Sequence, residues 1–550
     1  MCYDISKAIT TGHCMNKIAH YLNTHIIGEV VTNPAVRAAF ATDGSTLTHV
    51  PEMVAFPRST SDIRKAARFA WQLAEKGHSL PLITRGAGTD TSGGAIGTGL
   101  VVATGSHMDH IFEYDARQKL VRLQPGVTVS SLRNALALHG TAVPELHWEH
   151  ARATVGGVLA STRLAAECVD QLEIVLASGD VLQTRRLSKR ELTKMKGKTG
   201  FEADIYRAVD ALIEDNQQLI DELQHDDERI EHEGYAGIEQ VKERDGSLDL
   251  APLFLGTQGT LGIISEMILK ADFVNQSPTL IVASFATTSQ AHDAIDILDE
   301  LDVTWVEYVD TAYLEAAAKA GKTFGFFDEA KESLGTVAAT LIVTINDFNE
   351  RARAKKMKKV LARFKPLAPH IVSTTDLINS DLRALGSVTY WALNPDQGEL
   401  SAPPLLDGLY VPTARFEDFS RTLDELAKKH HVSLALYGRP LDELWYVRPT
   451  LRLSTVGDKQ KLIKLSAELL TLVEKYRGSA FGAGGEGRFA AALRSEHDEL
   501  AELYRKIKAI FDPHGILNPG VKQPSDVREL AKQLRGTYHG PSATDHLAKF

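Results

Sequence analysis

The chain has 550 residues, 43% of them hydrophobic and 24% charged, the composition of an ordinary globular protein with length for two or more cores. A formal net charge of −10 gives no support to a nucleic-acid binder, and three scattered cysteines, Cys2, Cys14 and Cys168, exclude a disulfide framework, a paired-cysteine zinc site and an iron–sulfur cluster. No apolar run reaches the length of a membrane span, and the first residues lack the apolar core of a signal peptide, so a cytoplasmic protein with no integral membrane segment is expected.

Ile26 to Thr48 reads as a polar helix-and-turn region. Val54-Ala55-Phe56 is then a short strand, and Ile63, Ala66, Ala67, Ala70 and Leu73 recur at helical spacing until Gly77 ends the helix. A second strand, Pro81-Leu82-Ile83, runs into Arg85. Beyond it Gly86, Gly88, Gly93, Gly94, Gly97 and Gly99 crowd into one loop before the apolar run Leu100-Val101-Val102. Glycines permit positive φ and close backbone approach, so consecutive amides can turn toward one anion; between Thr84 and Ile96 the sole acidic residue is Asp90. The loop lacks the Lys-Ser/Thr of a Walker loop, and a Val-rich strand follows it where a Rossmann fingerprint needs a helix. A phosphate cradle and an unliganded surface turn both fit these residues.

Further on, Leu120 to Leu123 is a strand, Gln124-Pro125-Gly126 a turn, and Ser130 starts a helix ended by Gly140. A second glycine turn follows at Thr154-Val155-Gly156-Gly157, then a hairpin turning at Ser178-Gly179-Asp180. Glu214 to Asp249 is charged and weakly periodic, which predicts a solvated helix and a mobile loop. An apolar run resumes at LFLGTQGTLGIISE. Strand–helix alternation repeats in TLIVASFATTSQAHDAIDILDEL, in TVAATLIVTINDFNERARAKKMKKVLARF and in LYVPTARFEDFSRTLDELAKKHHVSLALYG, as a sheet with helices on one face requires. The basic helix from Arg351 to Arg363 reads as a solvated face.

The ordered set PxxxxRGAGTxxSG, LQPGV, ATVGG, VxxGDVL, LFLGTQGTLGIISE and IFDPHGILNPG resembles the FAD-linked oxidases of the vanillyl-alcohol oxidase type, in their glycolate and D-lactate dehydrogenase-like branch. The resemblance implies an α+β fold: a two-part PCMH-type FAD-binding domain over 26–270, a cap of antiparallel sheet with flanking helices over 271–505, a segment at 506–525 returning to the flavin, and a helical tail at 526–550. It carries cofactor contacts onto Arg85, Gly86, Ala87, Gly88, Thr89, Ser92, Pro144, Thr154, Gly156, Gly157, Ser161, Gly262, Ile263 and Asn518. Relatives that bind FAD covalently use a histidine in this loop; Thr89 stands there, so the implied FAD is noncovalent.

The expected activity is hydride transfer from a C–H next to oxygen to FAD, with a small-molecule substrate and an electron acceptor that the sequence does not identify; a homodimer is compatible with it. The cap departs from the family's pattern. Neither histidine of its metal-binding turn is present in LALYGRPLDELWYVRP, Ala483 and Gly484 replace the Glu and His of the GEHG segment, and Trp391-Ala392-Leu393-Asn394 lacks the arginine of the WxxR segment. A 2-hydroxy acid needs an anion clamp and a base, so simple D-lactate is not the expected substrate. Tyr437, Arg439 and Glu486 are the replacement catalytic candidates, with Arg448, Arg452 and Tyr446 beside them. His147, Glu149 and His150 have no third nitrogen or sulfur donor nearby, so no metal is assigned; His147 and Trp148 can instead pack beside the flavin. The rival reading is a flavin-binding partner or regulatory subunit that has lost turnover.

Overall fold

The computed structural model describes residues 12–146, 151–224, 233–275, 278–301, 303–319, 324–374, 401–493 and 499–538. The chain forms two compact units, one of residues 1–272, 484–533 and 541–550, the other of residues 273–483 and 534–540. The return to the first unit thus begins at Gly484, where the sequence reading began it at 506.

The first unit holds two main sheets. In the four-stranded one the order is Glu29–Val31, Met53–Phe56, Leu100–Ala103, Leu82–Arg85, with the last three mutually parallel and the first antiparallel to its neighbour. Helix Thr60–Ala74 lies in this sheet's core through Ile63, Ala66, Ala67, Ala70 and Leu73, the positions its periodicity marks; each large aliphatic buried there stabilises by roughly 1.5–3 kcal/mol. The Ile26–Thr48 region includes the Glu29–Val31 strand, which its polar sequence did not announce. Buried Asp62 anchors its approach by accepting from Ile27 N at 2.8 Å and Gly28 N at 2.9 Å.

The second sheet is five-stranded and antiparallel, ordered Ile111–Asp115, Leu120–Leu123, Ile263–Lys270, Val169–Val175, Val181–Gln183. Alternation along Ile263–Lys270 buries Ile263, Ser265, Met267 and Leu269, the period-two pattern of a strand. Helices Phe201–Asp215 and Glu499–Phe511 add Ile205, Val209, Leu503 and Ile507 to the same core. The expected mobile loop before Asp249 is corrected here: among its described residues Tyr235, Ile238, Val241 and Leu248 are buried, with Leu250 just beyond, because they join the core of this sheet.

The second unit is built on a seven-stranded sheet ordered His370–Thr374, Thr279–Phe285, Ala339–Ile345, Trp305–Asp310, Leu434–Arg439, Leu444–Pro449, Asp407–Tyr410, antiparallel throughout. Helices Thr288–Glu300, Glu350–Phe364 and Thr413–His430 alternate with its strands. Coverage is not one-sided, however: Tyr313, Leu314, Phe324 and Phe327, from Thr311–Lys319 and Gly325–Leu334 and the approach between them, pack with Val282, Val309, Ile342 and Tyr437. The largely apolar stretch Thr279–Phe285, buried at every position, is the sequence signal of a strand covered on both faces.

Candidate functional site

The site in the first unit starts from the crossing of three glycine turns. After Leu82–Arg85 the chain enters its loop at Gly86, where a Cβ would sit 1.9 Å from Thr154 Oγ1. The loop is therefore pressed against the second glycine turn. Gly88 has φ +72°, and a Cβ there would stand 2.3 Å from Arg85 Nη2, so the Arg85 guanidinium lies beneath the loop. Arg85 also donates from Nη1 to Ala95 O at 3.3 Å and covers the Phe40 ring. Thr154 caps the Val155–Ser161 helix by accepting from Gly157 N at 3.2 Å, and a Cβ on Gly156 would come within 2.5 Å of Pro125. The third turn, Thr257 to Gly262, brings Gly259 against Thr84, whose Oγ1 would be 2.1 Å from an added Cβ.

These turns line one open cleft. Arg85, Gly86, Ala87, Gly88, Thr89, Thr154, Gly156, Gly157, Ser161, Gly262 and Ile263 line it, as expected. Thr84, Asp90, Gly94, Ala95, Thr104, Pro125, Ala160, Thr257, Gln258, Gly259 and Ile264 line it too and are not among the cofactor contacts that the resemblance implies. A cavity walled by glycine, alanine, serine and threonine offers backbone polar groups at close range, with one basic and one acidic side chain. That wall fits an extended cofactor carrying a diphosphate.

Ser92, Pro144 and Asn518 do not line the cleft. Pro144 is exposed. Asn518 is fully buried and its amide is committed inside the protein: Nδ2 donates to Gly94 O and Gln258 O, both at 2.7 Å, and Oδ1 accepts from Arg488 Nη2 at 3.0 Å. Ser92 Oγ accepts from Gln258 Nε2 at 2.7 Å, and its carbonyl accepts from Arg488 N at 3.0 Å. Both residues brace the loop from behind.

Gln258 is the centre of that brace. It holds φ +55° without being glycine, a conformation retained where surrounding bonds fix it. Its own N donates to Ala160 O at 2.7 Å, and its Oε1 accepts from Gly487 N at 2.9 Å. Arg488 adds Nε to Ile96 O at 2.9 Å and Nη1 to Pro519 O at 2.5 Å; burial lowers its pKa to about 10 against the raising influence of Asp43 and Asp90. The sequence hint for this role was an arginine closing GGEGR directly before the apolar run FAAAL.

Glu486, a catalytic candidate, is 1% exposed. It pairs with Lys522 Nζ at 2.7 Å and accepts from Gly234 N at 2.7 Å. Tyr437 and Arg439 belong to the second unit. Tyr437 OH lies 3.5 Å from Glu307 Oε2, and Glu307 Oε1 accepts from Trp305 Nε1 at 2.9 Å. Arg439 pairs with Asp442 at 3.3 Å and covers the Trp305 ring. Arg448 makes a bidentate pair with Asp407, one bond at 2.9 Å; burial opposes its charge, but Asp407 outweighs that and holds its pKa above the ordinary value. Arg452 N donates to Asp458 at 2.8 Å, and the Tyr446 ring lies 5.7 Å from that of Tyr437. His147, Trp148, Glu149, His150 and the stretch Trp391 to Asn394 lie outside the described residues. Among the described residues no group of three or more His, Cys, Asp or Glu is placed to hold a metal ion.

Comparison with known proteins agrees with this architecture. The sequence model of a family described as "FAD binding domain" matches residues 51–185, and that described as "FAD linked oxidases, C-terminal domain" matches residues 274–521. The D-2-hydroxyglutarate dehydrogenase of Pantoea ananatis is 26% identical over 545 residues, covering 93% of this chain and 52% of the relative. The chain therefore spans about half the length of the first such relatives. A D-lactate dehydrogenase of Archaeoglobus fulgidus is 25% identical over 475 residues, covering 85% of this chain and 90% of the relative. The crystal structure of p-cresol methylhydroxylase with substrate bound superposes with a TM-score of 0.66 at 14% identity, covering 95% of this chain and 99% of that one.

Proposed function

The chain belongs to the FAD-linked oxidases, and we propose that it is an FAD-dependent oxidoreductase taking a hydride from a C–H next to oxygen, in a hydroxy acid or related alcohol. The observation that carries this reading is the cleft, lined by three glycine turns at which a Cβ would meet a neighbouring segment. Bound FAD supplies the hydride acceptor. The backbone of Arg85 to Thr89 holds the diphosphate, and Thr89 leaves it unlinked to the protein. Thr154, Gly156, Gly157 and Ser161 continue the cofactor wall.

On the substrate side, Arg439 and Tyr437 are the groups we assign to anion binding and to the hydroxyl proton. Glu486, held by Lys522 and Gly234 N, is a structural acid in this reading. The named relatives act on D-2-hydroxyglutarate and D-lactate; a substrate larger than D-lactate suits a sheet that offers Arg439, Arg448 and Tyr446 together. One observation favours a second reading, a flavin-binding partner without turnover: Arg448 is tied to Asp407 and Arg439 to Asp442. Electrons leave to a diffusible acceptor or a separate protein, and assembly as a homodimer is compatible with this scheme.

The test is direct. Purified protein is expected to be yellow, with flavin released by acid. Anaerobic bleaching by D-2-hydroxyglutarate, other hydroxy acids, polyols or aldehydes establishes the oxidoreductase; yellow protein that no donor bleaches favours the partner, and colourless protein that takes up no FAD overturns both.

A further inference from the structure

Among the described residues Asp90 is the one acidic side chain on the wall of the glycine cleft. An acid is out of place beside a diphosphate. Its carboxylate is nevertheless built in: it accepts from Gly94 N at 2.5 Å and from Ser92 Oγ at 2.9 Å, so the loop's own turn is folded around it. These donors are neutral.

The charged groups around it do not neutralise it simply. Asp43, from the segment preceding the second strand, is the like charge that bears on it; Asp43 is occupied with Ser45 N and Oγ and with Ala95 N. Arg488 feels both carboxylates but directs its guanidinium to Ile96 O, Asn518 Oδ1 and Pro519 O. His49, near Asp43 and Arg488, is held below its ordinary pKa first by burial and then by Arg488. Arg85 donates to Ala95 O, and Lys522 is paired with Glu486. Burial first, and Asp43 second, raise the Asp90 pKa to about 6.

We propose that Asp90 is a proton-dependent latch on the cofactor: protonated, it leaves the diphosphate position without a competing negative charge and can donate its O–H, whereas ionised it sets a carboxylate against the diphosphate and promotes release. This rests on the FAD reading above. A bound dianion raises the Asp90 pKa further, so FAD is taken up together with a proton. Affinity is level below the pKa of the free protein and falls by up to about tenfold per pH unit above it, until the pKa of the loaded protein is passed. The FAD diphosphate is a diester with no proton to exchange in this range, so the dependence belongs to the protein.

The experiment is titration of the full chain, stripped of flavin, with FAD between pH 5 and 8.5, read by quenching of flavin fluorescence. Wild type is expected to lose about tenfold or more in affinity between pH 6 and 8. Asp90→Asn keeps an acceptor for Gly94 N and should bind FAD with a level profile, more tightly than wild type at pH 8. Asp43→Asn removes the like charge, lets Asp90 ionise more readily, and should keep the fall while starting it at lower pH; it carries the test if Asp90→Asn does not fold. A level wild-type profile, equal slopes for wild type and Asp90→Asn, or an unmoved onset in Asp43→Asn would overturn the latch. Failure of every protein to bind FAD at any pH removes the FAD reading and the latch with it.

Discussion

Arg488 in the first unit and Arg448 in the second are both buried guanidinium groups, 8% and 7% exposed, and they are satisfied in opposite ways. Arg448 is closed by one bidentate carboxylate, Asp407. Arg488 is spread over two backbone carbonyls, Ile96 O and Pro519 O, and the Asn518 side chain. The first arrangement stabilises a strand pair locally. The second ties the segments around 96 and 518 to Arg488, next to Gly487, whose N donates to Gln258 Oε1. Beside such a backing, the glycines of the front face leave no room for a Cβ at Gly86, Gly88, Gly156 and Gly259.

The largest effect should come from breaking that front. Gly88→Asp asks a non-glycine residue to hold φ +72° and drives its Cβ into Arg85, besides adding a carboxylate. FAD retention is expected to be lost, a fall in affinity of about 100-fold or more, while the second unit keeps its fold. Flavin absorbance after desalting, read with far-UV circular dichroism, checks both halves. A folded variant that stays yellow would remove the loop from the cofactor site.

Next in size is the pair of arginines itself. Arg448→Met leaves the half-buried Asp407 without its partner and should destabilise by about 3 kcal/mol. Arg488→Met orphans three acceptors and should cost about 3 kcal/mol. The two should differ in the ligand. Arg488→Met is expected to weaken FAD binding at least tenfold by loosening Gly94, Ser92 and Gln258, whereas Arg448→Met should leave it unchanged. Denaturant titrations and FAD titrations on both variants give the comparison; equal FAD loss in the two would mean that Arg488 is not a brace of the cleft.

The same contrast explains how much was legible. The glycine turns were readable because a glycine's reason for being there is local: a turn, a close approach, a strand on either side. Eleven of the positions that the family resemblance assigns to the cofactor line this one cleft. Gln258, Arg488 and Asn518 were opaque in role, since each acts across more than 150 residues of chain, as in Gln258 to Ser92 and Asn518 to Gly94. The ILNPG segment of the motif set implies a cofactor contact for Asn518, whose amide is instead bonded to Gly94 O, Gln258 O and Arg488. In the second unit the replaced family residues told where a site had changed without telling what now fills it, because Arg439 and Arg448 can serve a substrate or a neighbouring carboxylate equally well in one dimension.

The smallest expected effect on stability sharpens that last point. Tyr437 is 5% exposed, and its hydroxyl approaches Glu307 at 3.5 Å, the outer limit of a hydrogen bond. Glu307 already accepts from Trp305 Nε1 at 2.9 Å, and the Tyr437 ring is packed between Tyr313 and Tyr446. Tyr437→Phe keeps the ring and removes the hydroxyl, so stability should change by about 1 kcal/mol and FAD binding not at all. Turnover is the discriminating readout: a hydroxyl that handles the substrate proton should cost about 100-fold or more in kcat on removal, with the flavin spectrum unaltered. If kcat holds in Tyr437→Phe while Arg439→Met raises KM at least tenfold, the sheet binds an anion and the proton is taken elsewhere. If neither variant changes anything but thermal stability, the second unit's polar cluster is purely internal, and the contrast between a working cleft and a closed sheet becomes the case for the non-catalytic partner.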